Sequence, residues 1–169
     1  MVAKNNMRTY IERFWAWYER HREFHTGLAA GLFLLQLVHL YWLTTHIVAL
    51  RLFDVSYFTP PPFWEYVIIL VDYTEIPALI TASLVYLNEL RKGGSKGNLW
   101  LLISANSQWL HIFWITDEIV ISKFTHGPAL VALPVWLAWV AIVIDYLELP
   151  VIFDTCRKFL TARRFSKNT

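Results

Sequence analysis

Residues 36–48 read QLVHLYWLTTHIV and residues 108–120 read QWLHIFWITDEIV. Gln36, His39, Trp42, Thr44, His46, Ile47 and Val48 are thus matched 72 positions later by Gln108, His111, Trp114, Thr116, Glu118, Ile119 and Val120. Farther along, residues 72–77 read DYTEIP and residues 145–150 read DYLELP, pairing Asp72, Tyr73, Glu75 and Pro77 with Asp145, Tyr146, Glu148 and Pro150 at an offset of 73. Pro61 and Pro134 match at that same offset. Apolar helices resemble one another through Ile, Leu and Val, but Gln, His, Asp and Glu at fixed spacing need another cause. The sequence reads as a duplication.

Each of these polar patterns lies inside an apolar stretch. Four such stretches, at about 28–50, 63–87, 99–121 and 134–153, come near the roughly 20 residues that a helical span requires. The composition points the same way: 56% of the 169 residues are hydrophobic and 17% are charged, too apolar for an ordinary soluble domain. With 17% aromatic residues, a net charge of +2 and one cysteine, Cys156, the chain fits neither a disordered segment, a nucleic-acid-binding module nor a disulfide scaffold. The expected fold is all-α and integral to a membrane, a four-transmembrane-helix bundle made of two tandem helical-hairpin repeats. Each repeat has two spans, so both copies share one orientation and are related by a pseudo-two-fold axis along the membrane normal. Prolines 60–62 and 134 fall at helix starts, where a missing N–H is harmless, whereas Pro77 and Pro150 should kink their helices.

The expected organisation is an N-terminal amphipathic interfacial helix (1–26), a first hairpin (27–92), a linker (93–98) built on Gly93, Gly94 and Gly97, a second hairpin (99–156) and a basic tail (157–169). The interfacial helix carries Met7, Tyr10, Ile11, Phe14, Trp15 and Tyr18 at helical spacing; a partner-binding helix is the alternative reading. No continuous apolar run in the first 25 residues reads as a signal peptide. The first 27 residues, the central linker region and the tail carry five, three and five Lys or Arg residues, against one each, Arg51 and Lys123, in the other two connections. That bias places both termini in the cytoplasm, with the chain in a plasma or inner membrane. Cys156 reads as a reduced thiol without function, reversible acylation being the alternative.

The spans contain six carboxylates (Asp72, Glu75, Asp117, Glu118, Asp145, Glu148) and three histidines (His39, His46, His111), with no Lys or Arg in any apolar core. One charged residue at the centre of a span costs about 2.5–3.5 kcal/mol on insertion scales. Clustered carboxylates also repel each other, so they must either be protonated or be neutralised by cations. Histidine among carboxylates favours cations, because imidazole with carboxylate suits zinc, iron and manganese. On an α-helix His39 and His46 are about 20° apart in azimuth and about 10.5 Å apart along the axis, as are His111 and Glu118. Asp72 with Glu75, and Asp145 with Glu148, are i, i+3 pairs whose side chains can meet one ion.

A centre of two divalent metal ions, iron or zinc first and manganese next, is therefore expected near the axis. Its ligands are His39, His46, Asp72, Glu75, His111, Glu118, Asp145 and Glu148, with Gln36, Gln108, Tyr73 and Tyr146 as hydrogen-bond partners that orient them. Asp117 is read as a solvated edge residue, and His21, His25 and His126 as solvated. In its logic, though not in its sequence, this resembles the soluble four-helix di-iron carboxylate proteins, whose inward-facing Glu and Glu-x-x-His groups hold two metals. The acidic pair here is Asp-x-x-Glu and the histidines sit on separate helices, so no role is carried over residue by residue.

The leading functional reading is metal-dependent oxidation or hydrolysis of a lipophilic substrate dissolved in the bilayer. A divalent cation or proton transporter using the same residues is the alternative. A b-type haem protein with His39 and His111 as axial ligands is the third reading, and a structural homodimer the fourth.

Overall fold

The computed structural model describes residues 2–117 and 135–166. Among these residues the chain is helical throughout, apart from short connections. The elements are α1 (Val2–Arg20), α2 (Arg22–Trp42), a π-helical turn (Leu43–Val48), α3 (Ala49–Phe53), α4 (Pro62–Tyr73), α5 (Glu75–Arg91), α6 (Lys96–Ile115), α7 (Val135–Tyr146) and α8 (Glu148–Ser166). Three continuous helical stretches are long and apolar enough to cross a membrane: Arg22–Phe53, Tyr66–Arg91 and Trp136–Arg164. Helix α6 is less apolar, carrying Asn98, Asn106, Ser107, Gln108 and His111. The outer end of the third apolar stretch, Glu118, His126 and Pro134 lie outside the described residues.

Helix α2 packs against α5 and α8, α5 against α6, and α6 against α7. The contact surfaces are built on small residues: Ala29, Ala30, Ala78, Ala82 and Ala105 are all buried. At Gly27 a Cβ would come within 2.9 Å of the Phe159 ring, so a larger residue there would require that ring to shift. Close backbone approach through small residues is how helices associate in lipid, where burying Leu brings no hydrophobic gain. Phe33, Leu79, Tyr86 and Val151 fill the remaining core.

The distribution of polarity is inverted. Leu34, Val38, Leu70, Ile80, Leu110, Phe113, Val143 and Phe153 are exposed, while Gln36, His39, Asp72, Glu75, Gln108, His111, Asp145 and Glu148 are buried. A bilayer favours such a surface and water does not.

Helix α1 lies against the start of α2 and the end of α5. Tyr18 is buried with Ala29 and Val85, and Trp15 packs beside them under the Arg91 guanidinium, 5.0 Å from its ring. Tyr10, Ile11, Phe14 and Trp17 stay exposed. His25, expected to be solvated, is buried, because the Tyr18 ring stacks on it at 4.2 Å. Glu19 pairs with Lys92 at 2.5 Å and accepts a hydrogen bond from Asn88, and Arg22 pairs with Glu89 at 2.8 Å. Burial alone would raise the Glu19 carboxyl, but the Lys92 and Asn88 hydrogen bonds outweigh it and hold the group below its usual value.

Candidate metal centre

The site begins at two helix breaks. Pro77 has no N–H to give the Tyr73 carbonyl and its ring crowds that oxygen, so the helix interrupts at Thr74, between α4 and α5. Pro150 does the same to Tyr146, and the interruption falls at Leu147, between α7 and α8. The two breaks share their backbone N–H bonds, while Thr74 adds hydroxyl bonds, to Val71 O at 2.6 Å and from Gln36 Nε2 at 3.1 Å, that Leu147 cannot make. Thr74 N–H reaches Leu70 O at 3.2 Å and Val71 O at 2.9 Å, and Leu147 N–H reaches Val143 O at 3.2 Å and Ile144 O at 2.9 Å. Gln36 Nε2 then donates to Val71 O at 3.1 Å, and Gln108 Nε2 to Ile144 O at 2.7 Å. Each glutamine is thus an additional donor to a carbonyl at the break that already accepts the Thr74 or Leu147 N–H, tying its helix to the interruption.

Each break leaves Asp at the end of one half-helix and Glu at the start of the next. Glu75 and Glu148 occupy the first position of α5 and α8, where the partial positive charge of a helix N-terminus favours a carboxylate. His39 from α2 and His111 from α6 enter from the facing helices. All six side chains are buried.

His39 Nδ1 lies 2.5 Å from Asp72 Oδ1, and His111 Nδ1 lies 2.7 Å from Asp145 Oδ1. Asp145 also approaches the other half, with Oδ2 3.7 Å from His39 Nε2. The imidazoles meet edge to face with centroids 5.4 Å apart, and the Glu75 and Glu148 carboxyls face each other at hydrogen-bonding range. One ligand atom each from His39, His111 and Asp145 lies within 4.8 Å of the others, so this buried group can hold a metal ion.

The angles matter as much as the distances. Both ring nitrogens of His39, Nδ1 of His111, Asp72 Oδ1, Glu75 Oε1 and Asp145 Oδ1 are buried and none makes a hydrogen bond of acceptable geometry. Orphaned atoms are rare in a folded interior and call for an ion, a water or a strained function. Imidazole nitrogens and carboxylate oxygens gathered in this way are the donor set that zinc, iron or manganese takes.

The other expected site residues surround this cluster or stand away from it. Tyr73 OH bonds Thr116 Oγ1 at 2.8 Å and Tyr146 OH bonds Thr44 Oγ1 at 2.7 Å, each tyrosine reaching the helix of the other half. His46 stands apart: its Nδ1 bonds Ser56 Oγ at 2.7 Å and its ring stacks on Trp42. The π-helical turn explains this, because one extra residue in the turn swings the residues beyond it by about 100°. The same turn leaves the Thr45 carbonyl to the Tyr57 N–H at 2.9 Å, folding the next loop back beside His46. π-type winding recurs at Thr116 and Asp117, and Asp117 is buried rather than solvated. Glu118 lies outside the described residues.

A cavity of about 140 Å³ opens beside the cluster, with His39, His111 and Asp145 in its wall together with Trp42, Trp114 and Arg51. Neither Arg51 nor the threonine partners of the tyrosines emerge from sequence as site residues; Thr44 and Thr116 stand in the repeated pattern, whereas Arg51 carries no such signal.

The chain matches no family model, no curated protein and no solved structure. Its class rests on fold and site: a chain all-helical among the described residues, with three membrane-length apolar helices and a buried His/Asp group able to hold a metal ion.

Proposed function

We propose that this is a four-span membrane protein of two tandem hairpin repeats, both termini cytoplasmic, that holds two divalent metal ions and uses them to oxidise or hydrolyse a lipophilic substrate. The carrying observation is the buried group His39, His111 and Asp145, whose ligand atoms lie within 4.8 Å of one another, with Asp72 against His39 and with several of these nitrogen and oxygen atoms lacking a hydrogen bond. Each half supplies one His, one Asp and one Glu: His39, Asp72 and Glu75 for one ion, His111, Asp145 and Glu148 for the other. Asp145 and the facing Glu75 and Glu148 carboxyls join the two halves.

The repeat is supported by reciprocal contacts. The bond from Thr44 to Tyr146 and the bond from Tyr73 to Thr116 exchange under the sequence offset, as a two-fold axis requires of an isologous interface. The glutamine bonds and the helix breaks match in the same way.

When bound, the ions would supply Lewis acidity to an oxygen ligand. The chain's residues hold and orient the centre, and the surrounding apolar helices exclude bulk water. A transporter needs access from both membrane faces. Among the described residues the cavity reaches the cluster from the Arg51 side, while Phe33, Ala78, Ala82 and Ala105 pack the interior on the other; a carrier would have to open that second side in another conformation, whereas a resident metal centre need not. The edge contact between His39 and His111 leaves no slot for a porphyrin between them, which disfavours axial haem ligation.

Elemental analysis of detergent-purified protein tests the reading. About two ions per chain are expected, both lost from the Glu75→Ala/Glu148→Ala double variant. A wild-type chain that folds and retains no metal would refute it.

A further inference from the structure

Where α1 gives way to α2, the chain leaves a cavity of about 770 Å³ against the last turns of α8, within the roughly 300–1,000 Å³ usual for small-molecule sites. Its level in the membrane follows from the helices that wall it. Arg22 begins one membrane-length stretch and Arg164 ends another. Arg20, His21 and Glu23 on one wall and Ala162 on the other therefore stand where hydrocarbon gives way to headgroups. Leu28 and Phe159, also in the wall, lie about 9 Å and about 8 Å farther into those stretches at 1.5 Å per residue.

The charges at the rim are unequally served. Glu19 is held by Lys92, and Arg22 by Glu89. Arg20, exposed, and Glu23, half-buried, have no ion pair among the described residues, and although three positions apart they do not pair with each other. His21 Nδ1 donates to the Trp17 carbonyl at 2.9 Å, so the neutral ring presents Nε2 as an acceptor. One open cation thus shares the cavity with an open anion and an imidazole acceptor. Below them the wall is apolar and uncovered: Phe24 and Leu28 are exposed, and Gly31, one turn beyond Gly27, has no atom within 4 Å of where a Cβ would stand.

We propose that this cavity binds one phospholipid with a phosphoethanolamine head, its phosphate on Arg20, its ammonium on Glu23 and His21, and an acyl chain descending over Leu28 and Gly31. Charge complementarity selects the head. A guanidinium forms a bidentate pair with phosphate, and a primary ammonium has three N–H groups for the carboxylate and the imidazole. A choline head has no N–H to give them, and a glycerol head leaves the Glu23 charge unanswered. The uncovered apolar wall beneath selects a lipid over a free phosphate compound. The site lies at the opposite end of α2 from the metal ligands and is independent of the metal reading.

Native mass spectrometry of the full chain in detergent tests this, with phosphatidylethanolamine, phosphatidylcholine and phosphatidylglycerol of identical acyl chains titrated in turn. Wild type should retain one phosphatidylethanolamine per chain, about three- to five-fold more tightly than either other lipid, the scale of one partly exposed ion pair. Glu23→Gln should remove that preference. Arg20→Gln should weaken all three lipids about equally, because all carry the phosphate, and Arg13→Gln, outside the cavity, should change none. Both rim substitutions replace side chains that hold no helix contact, and unchanged thermal unfolding checks that the fold is kept. Equal retention of the three lipids in wild type, tighter binding of one of the other two, or a preference that survives Glu23→Gln overturns the proposal. Glycerophosphoethanolamine, the head without chains, should not displace the lipid; displacement at equal concentration would overturn the lipid assignment.

Discussion

Two polar layers cross this bundle, and they are neutralised differently. At the end bearing the termini, three acids have basic neighbours: Glu19 has Lys92, Glu89 has Arg22, and Asp154 has Lys158, which also reaches Asn98 Oδ1 at 3.3 Å. In the deeper layer, among the described residues, Asp72, Glu75, Asp145 and Glu148 find their charged partners in each other, His39 and His111. The chain pairs its acids with fixed cations where water also helps, and leaves them open where burial makes an unpaired charge most expensive. Such a layer needs protons or, as proposed above, bound cations to be stable.

The contrast between the layers breaks most forcefully at the deeper one. Removing both carboxylates in Glu75→Ala/Glu148→Ala should release both ions, read by elemental analysis, and the apo form of wild type should lose thermal stability while the variant's stability becomes insensitive to metal. Asp145→Asn, which touches both histidines, should reduce metal affinity more than Asp72→Asn, which touches one; competition with a chromophoric chelator gives the order. Pro77→Ala restores an N–H to the Tyr73 carbonyl and should heal the break at Thr74, changing the angle between α4 and α5 and so the placement of Asp72 and Glu75 against His39, and lowering metal content from about two ions toward one. Gln36→Leu or Gln108→Leu should each cost about 0.6 kcal/mol, and no more than about 1.7, in reversible unfolding from mixed micelles.

The smallest effect belongs to the paired layer. Glu19→Gln should cost roughly 0.2–1 kcal/mol and be masked by salt, because Glu19 and Lys92 are partly exposed. With the folded Glu19 carboxyl held below its ordinary value, its stabilisation is complete above about pH 4.5 and fades as pH falls through the folded value. Protease cleavage between α1 and α2 should therefore rise on acidification in wild type and not in Glu19→Gln.

Much of the deeper layer is legible in the sequence, because hydrophobic runs and polar repeats survive any detail of packing. Asp72, Glu75, Asp145 and Glu148 group by i, i+3 spacing alone, and the breaks follow from two prolines. His46 would share the cluster's face if residues 43–48 wound at 3.6 residues per turn, but the chain winds one residue more there. Asp117 moves inward at the matching turn. The glutamines' role has no sequence signal, since a side-chain amide can orient a ligand or cap a carbonyl, and only the break's geometry decides. The burial of His25 depends on where α1 folds, and Arg51 is a lone charge whose meaning depends on a cavity walled by several helices.

X-ray absorption on protein loaded with iron or zinc tests the central claim most directly. A shell of imidazole nitrogen and carboxylate oxygen is expected around each absorber, with a second metal at about 3.5–4 Å, the separation usual in two-metal sites. A single ion in an all-oxygen shell, unchanged when His39 and His111 are replaced by alanine, would contradict it.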